Sequence, residues 1–370
     1  MLSPQDTDVL ADLDRWRAQR FPHWGEDFFP GALPELAEIG LQSLLVREGK
    51  LDLSRGRLAH ETSERLAATL PALAISTSVA RLHAYLLLKY AQPAVRDRYL
   101  ADTLAARVFG GFAMTEPGAG TDVRAMQTVA VRDGDHYVLT GAKCWIGLAP
   151  VSDYVIVLAK EGHDGRDAPT IALVVDMDSA GATGEPGPQL SGVIGMPNGT
   201  LTLTGVRVPQ EHALTCEGFR GMMDGLNLAR IEAASYSCGI LHRALELATE
   251  RASSRIAFGQ PLSGLPSIQA KLGRMWTDYR AARELTLAAV DSFQVEGGDR
   301  DLISMAKLFA SDACRRHTDE AMQIFGAAGL AADGEVLRLH NAAKVMQIFD
   351  GTSEIHETML GRRAAQGAFA

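Results

Sequence analysis

The sequence predicts an α+β protein of three successive units: helices over 1–107, a small β domain over 108–215 and a helical bundle over 216–370. Three observations predict it. Before 108 and after 215, apolar residues recur at mixed spacings of three and four, the period of helices that bury one face. Between those limits the period falls toward two and β-branched residues gather. Within the middle stretch, proline and glycine clusters such as GEPGP at 184–188 separate the runs.

In the first unit, LPELAEIGLQSLL, RLAHETSERLAATLPALAISTSVARLHAYLLLKY and AVRDRYLADTLAA carry the helical period. From Leu73 to Leu88 the chain is apolar nearly all round, as expected of a helix buried between others. In the second, TVAVRD and HYVLTGAKCW flank Gly134 and read as a hairpin. DYVIVLAK, TIALVVDMD and TLTLTGVRVP follow as strands. The third unit reads as helices over roughly 220–254, 266–296, 299–326 and 334–366; Gly225 and Gly239 weaken the first as one continuous helix.

Composition narrows the function. Of 370 residues, 46% are hydrophobic and 22% charged, which fits a folded chain with more than one packed unit. The net charge of −9 excludes a general affinity for nucleic acid, which needs a basic face. Cys144, Cys216, Cys238 and Cys314 form no CxxC pair, so reduced thiols are expected rather than a zinc site or disulfide framework. The N-terminus lacks the apolar core of a signal peptide, and no uninterrupted apolar run is long enough to span a bilayer. The expectation is a cytoplasmic protein without a membrane partner.

Five stretches could carry chemistry. FGGFAMTEPGAGTD at 109–122 places small residues on both sides of Thr115 and Glu116, so backbone N–H groups could approach an anion or a planar ring. Alone it also reads as a loop entering the β domain. In GAKCWIG at 141–147, Trp145 could cover a flat cofactor or pack as core. In SSRIAFGQPL at 253–262, Arg255 suits a phosphate or an ordinary surface. The fourth is MQIFGAAGL at 322–330. In the fifth, AAKVMQIFDGTSEIHETMLGR at 342–362, Asp350 follows an apolar run. Desolvation there would raise its pKa and make it a usable base; alternatively Asp350 or Thr352 caps the last helix.

As an ordered set from about 105 to 362, TEPGAGTD, R-x-x-FGQPL and DGTSEI resemble the acyl-CoA dehydrogenase family, whereas residues 1–104 match only in helical character and position. The resemblance implies an N-terminal helical domain, a middle β domain and a C-terminal four-helix bundle. It implies FAD lying extended between the last two and across a subunit interface, in a homo-oligomer that is a dimer or a dimer of dimers. It implies that a carboxylate takes the α-proton of an acyl thioester while the β-hydrogen leaves as hydride to flavin N5.

Carried over by position, Asp350 is the base, and its backbone N–H with a ribityl hydroxyl holds the thioester carbonyl. Phe112, Met114, Thr115, Gly120 and Thr121 match the flavin-covering loop, and Trp145, Ile146 and Gly147 the strand end beside the ring. Arg255 and Phe258 match the pair given to the neighbour's FAD. Gln323, Gly326 and Ala327 match adenosine-side contacts, and Thr352 and Glu354 the contacts after the base. Thr121, Arg230 and Gly351 are expected beside the substrate.

The chain departs from the family pattern in four places. The base is Asp350 where Glu is usual, and the alternative base position is Ala229. Glu232, further along, is a weaker substitute. Gly147 and Leu148 replace a threonine that serves N5 and a common asparagine. Pro266 stands where a glutamine is usual, with Gln269 three residues on. VREGKLDLSRGR at 46–57 replaces a glycine-rich loop of the acyl pocket. Three readings follow: dehydrogenation of an acyl-CoA or acyl-carrier-protein thioester, as in natural-product branches; a flavin oxidase or monooxygenase of the nitroalkane-oxidising kind, which also uses Asp; or a flavin-binding homologue without turnover. The electron acceptor is an electron-transfer flavoprotein or oxygen.

Overall fold

The computed structural model describes residues 3–20, 31–162, 165–295 and 297–368; the helical expectations for 21–30 and for 296 lie outside the described residues. The N-terminal unit holds α1 (Pro4–Arg20), α2 (Ala32–Glu38), a two-residue-stranded hairpin of β1 (Val46–Arg47) and β2 (Lys50–Leu51), α3 (Gly56–Ala67), α4 (Pro71–Tyr90) and α5 (Pro93–Leu104). The run LPELAEIGLQSLL is helical only to Glu38; beyond it turns let Leu41, Leu44 and Leu45 reach the core singly. The long following run splits at Pro71, because the residue before a proline is pushed out of the helical region and Leu70 is extended.

Among the described residues α4 alone is long and apolar enough to cross a membrane, but most of that stretch is buried inside the protein. Its Arg81 is fully buried and bonded within the fold. α4 is a core helix.

The middle unit is a seven-stranded sheet of β3 (Gly110–Ala113), β4 (Val129–Asp133), β5 (His136–Gly147), β6 (Tyr154–Glu161), β7 (Thr170–Asp176), β8 (Ala182–Pro186) and β9 (Asn198–Pro209). Its order is β3-β6-β4-β5-β9-β8, with β7 also paired to β6. β4 and β5 form the hairpin expected around Gly134, with Val131 opposite Val138. Two strands went unread in the sequence. The FGGFA stretch, expected as loop, is a parallel partner of β6. The GEPGP cluster, expected as a separator, begins inside β8, a sheet edge that tolerates proline. β6 alternates Tyr154, Ile156 and Leu158 into the main core with Val155, Val157 and Ala159 into the core of the β unit, so both its faces are covered.

The C-terminal unit holds α6 (Gly218–Ser254), a small hairpin of β10 (Ile256–Ala257) and β11 (Gln260–Pro261), α7 (Pro266–Phe293), α8 (Arg300–Phe325), α9 (Glu335–Ile348) and α10 (Ser353–Ala365). α6 runs unbroken through both glycines. Gly239 has a reason to be there: a Cβ would lie 2.1 Å from the Glu64 carbonyl oxygen of α3. The expected helix over 334–366 is two helices, interrupted at Phe349–Thr352. At the break Asp350 (φ 56°) and Gly351 (φ 107°) both adopt left-handed backbone, which a helix cannot continue through.

Candidate functional site

The interruption between α9 and α10 puts Asp350 at a bend rather than on a helix face. A non-glycine residue held at positive φ costs energy and persists where the surroundings fix it. Here two buried cations do so. Arg230 of α6 donates from Nε to the Asp350 carbonyl at 3.0 Å and from Nη1 to Asn227 Oδ1 at 3.1 Å. Lys307 of α8 donates from Nζ to the Gly351 carbonyl at 2.6 Å. Below the bend, Asp312 accepts from Ser353 Oγ at 2.9 Å and from Gln347 Nε2 at 2.7 Å, tying α8 to both flanking helices. Gly351 must be glycine: beyond its φ, a Cβ would sit 3.1 Å from Nε2 of buried His356.

The Asp350 side chain is half-buried, and among the described residues none donates a hydrogen bond to its carboxylate. Burial pushes its pKa up to about 6, against the pull of Lys307 and then Arg230. Burial lowers Lys307 in turn, while Asp350 opposes that shift. His356 is held neutral, first by burial and then by Arg230 and Lys307. Thr352 is the N-cap residue of α10 without a side-chain cap bond, and Glu354 is exposed in its first turn.

The glycine-rich loop is pinned to β5. Glu116 is buried; its Oε1 accepts from Lys143 Nζ at 2.8 Å and from the Thr128 N–H at 3.0 Å. Lys143 also donates to the Met114 carbonyl at 3.1 Å. The Cys144 N–H donates to the Thr115 carbonyl at 2.9 Å, which brings Thr115 beside the next residue, Trp145. There the β5–β9 register slips between Lys143 and Ile146, and Trp145 takes φ 58° with 59% of its surface exposed. A bulge that turns out a large aromatic side chain is a device for aiming it. Phe112 is half-buried, Met114 and Ile146 are buried, and Gly120 and Thr121 are exposed on the same loop. Gly147 faces Met196, whose Cε lies 2.6 Å from where a Cβ would stand.

The remaining expected residues lie apart from the bend. Arg255 is exposed, and among the described residues its guanidinium has no ion-pair partner. Phe258 tips the β10–β11 hairpin at φ 53° and is 91% exposed. Gln323, Gly326 and Ala327 are exposed at the far end of α8, about 24 Å along that helix from Lys307. One ligand touching both ends would have to be extended. Glu232, weighed as a substitute base, is committed elsewhere: Arg81 Nε donates to it at 2.9 Å and Ser63 Oγ at 2.6 Å. It also borders a small cavity with His60, Leu228, Ile231 and Ser235, which touches none of 349–352.

Lys307 and Lys143 were missed in the sequence reading. For Lys307 a signal existed. It falls at helical spacing among Ile303, Ala310 and Cys314, all buried, so it lies on an apolar face.

Residues 111–206 match the family described as acyl-CoA dehydrogenase, middle domain, and residues 216–365 match acyl-CoA dehydrogenase, C-terminal domain. The chain is 31% identical to cyclohexane-1-carbonyl-CoA dehydrogenase of Geobacter metallireducens, over 90% of this chain and 88% of that one. It is 33% identical to cyclohex-1-ene-1-carbonyl-CoA dehydrogenase of the same organism, over 73% and 72%. The fold superposes on butyryl-CoA dehydrogenase of Megasphaera elsdenii with a TM-score of 0.91, at 28% identity and 99% coverage of both chains. With these matches spanning the β unit, the bundle and the bend between α9 and α10, the chain belongs to the acyl-CoA dehydrogenase family.

Proposed function

We propose that this protein is an FAD-dependent oxidoreductase that removes the α and β hydrogens of an acyl-CoA thioester, with Asp350 taking the α-proton. The observation that carries the reading is the bend itself: a carboxylate that, among the described residues, receives no hydrogen bond while two cations grip the carbonyls around it. An aspartate one methylene shorter than glutamate reaches less far, so the thioester must sit close to the turn.

The residues fit an extended flavin cofactor. Trp145 offers an exposed flat face beside the Thr115 loop, and the Gly120–Thr121 step leaves backbone open next to it. Phe112, Met114, Ile146, Gly147, Thr352 and Glu354 complete the ring side. Gln323, Gly326 and Ala327 would hold the adenosine side, and Arg255 and Phe258 the FAD of a neighbouring subunit, which makes the working unit at least a dimer. When bound, FAD supplies a hydride acceptor. The protein's own part is to hold the Cα–H against the carboxylate, to exclude water, and to keep the displaced proton on Asp350. The backbone N–H of Asp350 supports the thioester oxygen as enolate charge develops. Arg230 and Gly351 shape the substrate side through the turn.

The acyl group can be carried by CoA or by an acyl-carrier protein, with electron-transfer flavoprotein as acceptor. The test is anaerobic bleaching of the bound flavin by butyryl-CoA, isobutyryl-CoA, cyclohexane-1-carbonyl-CoA and matching carrier-protein thioesters. Bleaching by at least one supports the proposal; none bleaching, with a nitroalkane consuming oxygen instead, replaces it with the oxidase reading that the aspartate also suits.

A further inference from the structure

Lys307 is fully buried, yet among the described residues no carboxylate lies within ion-pair distance of its ammonium. A buried ammonium without a paired anion is costly, so its retention needs a reason. Among the described residues its one hydrogen bond is to the Gly351 carbonyl, at 2.6 Å. The preceding carbonyl, of Asp350, is held by Arg230 from a different helix. Successive carbonyls of a left-handed pair are therefore gripped from α6 and α8, and the carboxylate between them is spared.

We infer that Lys307 is a positioning residue for the reaction: it pins the turn through Gly351 and supplies the nearby positive charge that keeps the Asp350 carboxylate ionised without bonding to it. This rests on the reading of Asp350 as the base. A direct Lys307–Asp350 bond would occupy one carboxylate lone pair and tie the group toward Lys307. A bond to the next carbonyl supplies the charge and leaves the lone pair open.

The other charged or titratable groups around the bend cannot replace it. Arg230 already pulls on Asp350, and more weakly than Lys307 does, so its charge is not a reserve for the one lost. Asp312 and Glu354 are carboxyl side chains that act on Lys307 itself. His356 is neutral, its pKa lowered to about 3. Tyr236 of α6 is held protonated by burial, with its hydroxyl bonded to Ser78. Arg300, at the start of α8, acts on Arg230 and is exposed. Loss of the Lys307 charge must therefore raise the pKa of Asp350, and the rate must then need higher pH.

The test needs no substrate. In the FAD-loaded protein, the infrared carboxyl signal that Asp350→Asn removes is titrated in wild type, Lys307→Met, Lys307→Gln and Lys307→Arg. Both neutral variants should move its midpoint up by about one pH unit or more, and Lys307→Arg should hold it near wild type. Gln keeps a donor for Gly351, so it carries the test if Met fails to fold. A midpoint unmoved in a folded, flavin-loaded Gln variant overturns the inference. Failure of every thioester to bleach the wild-type flavin would instead overturn the functional reading and leave this titration standing.

Discussion

α6 carries two buried charged residues two positions apart, Arg230 and Glu232, and their surroundings differ in kind. Two positions are about 200° of helix rotation, so they face opposite ways. On the Glu232 side the two charged side chains bond to each other and to Ser63. Arg81 meets Glu232 through Nε, Leu41 O through Nη1 at 3.0 Å and Ser63 Oγ through Nη2 at 2.6 Å. On the Arg230 side the cations bond to backbone and the Asp350 carboxylate is left open. The closed network joins α3, α4 and α6 and has both carboxylate oxygens of Glu232 hydrogen-bonded. The open one holds a loop and can accept a proton. Burial of a charge does not by itself separate the two carboxylates; what separates them is that, among the described residues, Asp350's accepts no hydrogen bond.

The widest difference is expected in rate. Asp350→Asn should keep fold and flavin but slow thioester-dependent bleaching by about 10²–10⁴ in stopped flow. Glu232→Gln should do the converse. It breaks a buried pair and should cost about 3–5 kcal/mol in denaturant unfolding, with bleaching per folded molecule within about twofold of wild type. If Glu232→Gln slows bleaching as deeply as Asp350→Asn, the two sides are not distinct.

Acidity sharpens the contrast further. Since the pKa of Asp350 is raised to about 6, the bleaching rate should rise with pH through that value, well above the usual aspartate range. Stability should run the other way. The folded state binds the Asp350 proton more tightly than the unfolded chain, so this group's contribution is fully present below the unfolded pKa and is lost as pH rises through about 6. Asp350→Asn should therefore raise the thermal midpoint more at pH 8 than at pH 5. An equal shift at both would show that the carboxyl does not titrate there. The smallest effect is expected at Gly147→Ser, where the atom in the way is the flexible end of Met196: a cost of about 1 kcal/mol in melting, with flavin retained.

What the sequence revealed follows the range of the interactions involved. The β4–β5 hairpin was legible because its turn lies between its strands. β3 was hidden because two glycines disguise it and its partner begins at Tyr154, far along the chain. β8 was hidden because Gly184 and Pro186 signal a break anywhere but at a sheet edge. Asp350, Trp145 and the glycine loop stood out as an ordered set of motifs. The grip on the bend did not, because Arg230 lies 120 residues from Asp350 and Lys307 lies 44 from Gly351. The break at 349–352 was half legible: apolar spacing runs on across it, but Thr352 also read as a cap, and it is the N-cap residue of α10.

α6 has a mechanical consequence. It is about 55 Å long, and the arm from Arg230 to the hairpin after Ser254 is about 37 Å. A tilt of about 2° over that arm moves Arg230 by about 1 Å, and a misplacement of that size costs about a hundredfold in rate. Any surface that came to seat the exposed Phe258 tip would therefore act on the same helix that holds the Asp350 carbonyl at its other end. Substitutions at the tip should then register at Asp350 without touching it.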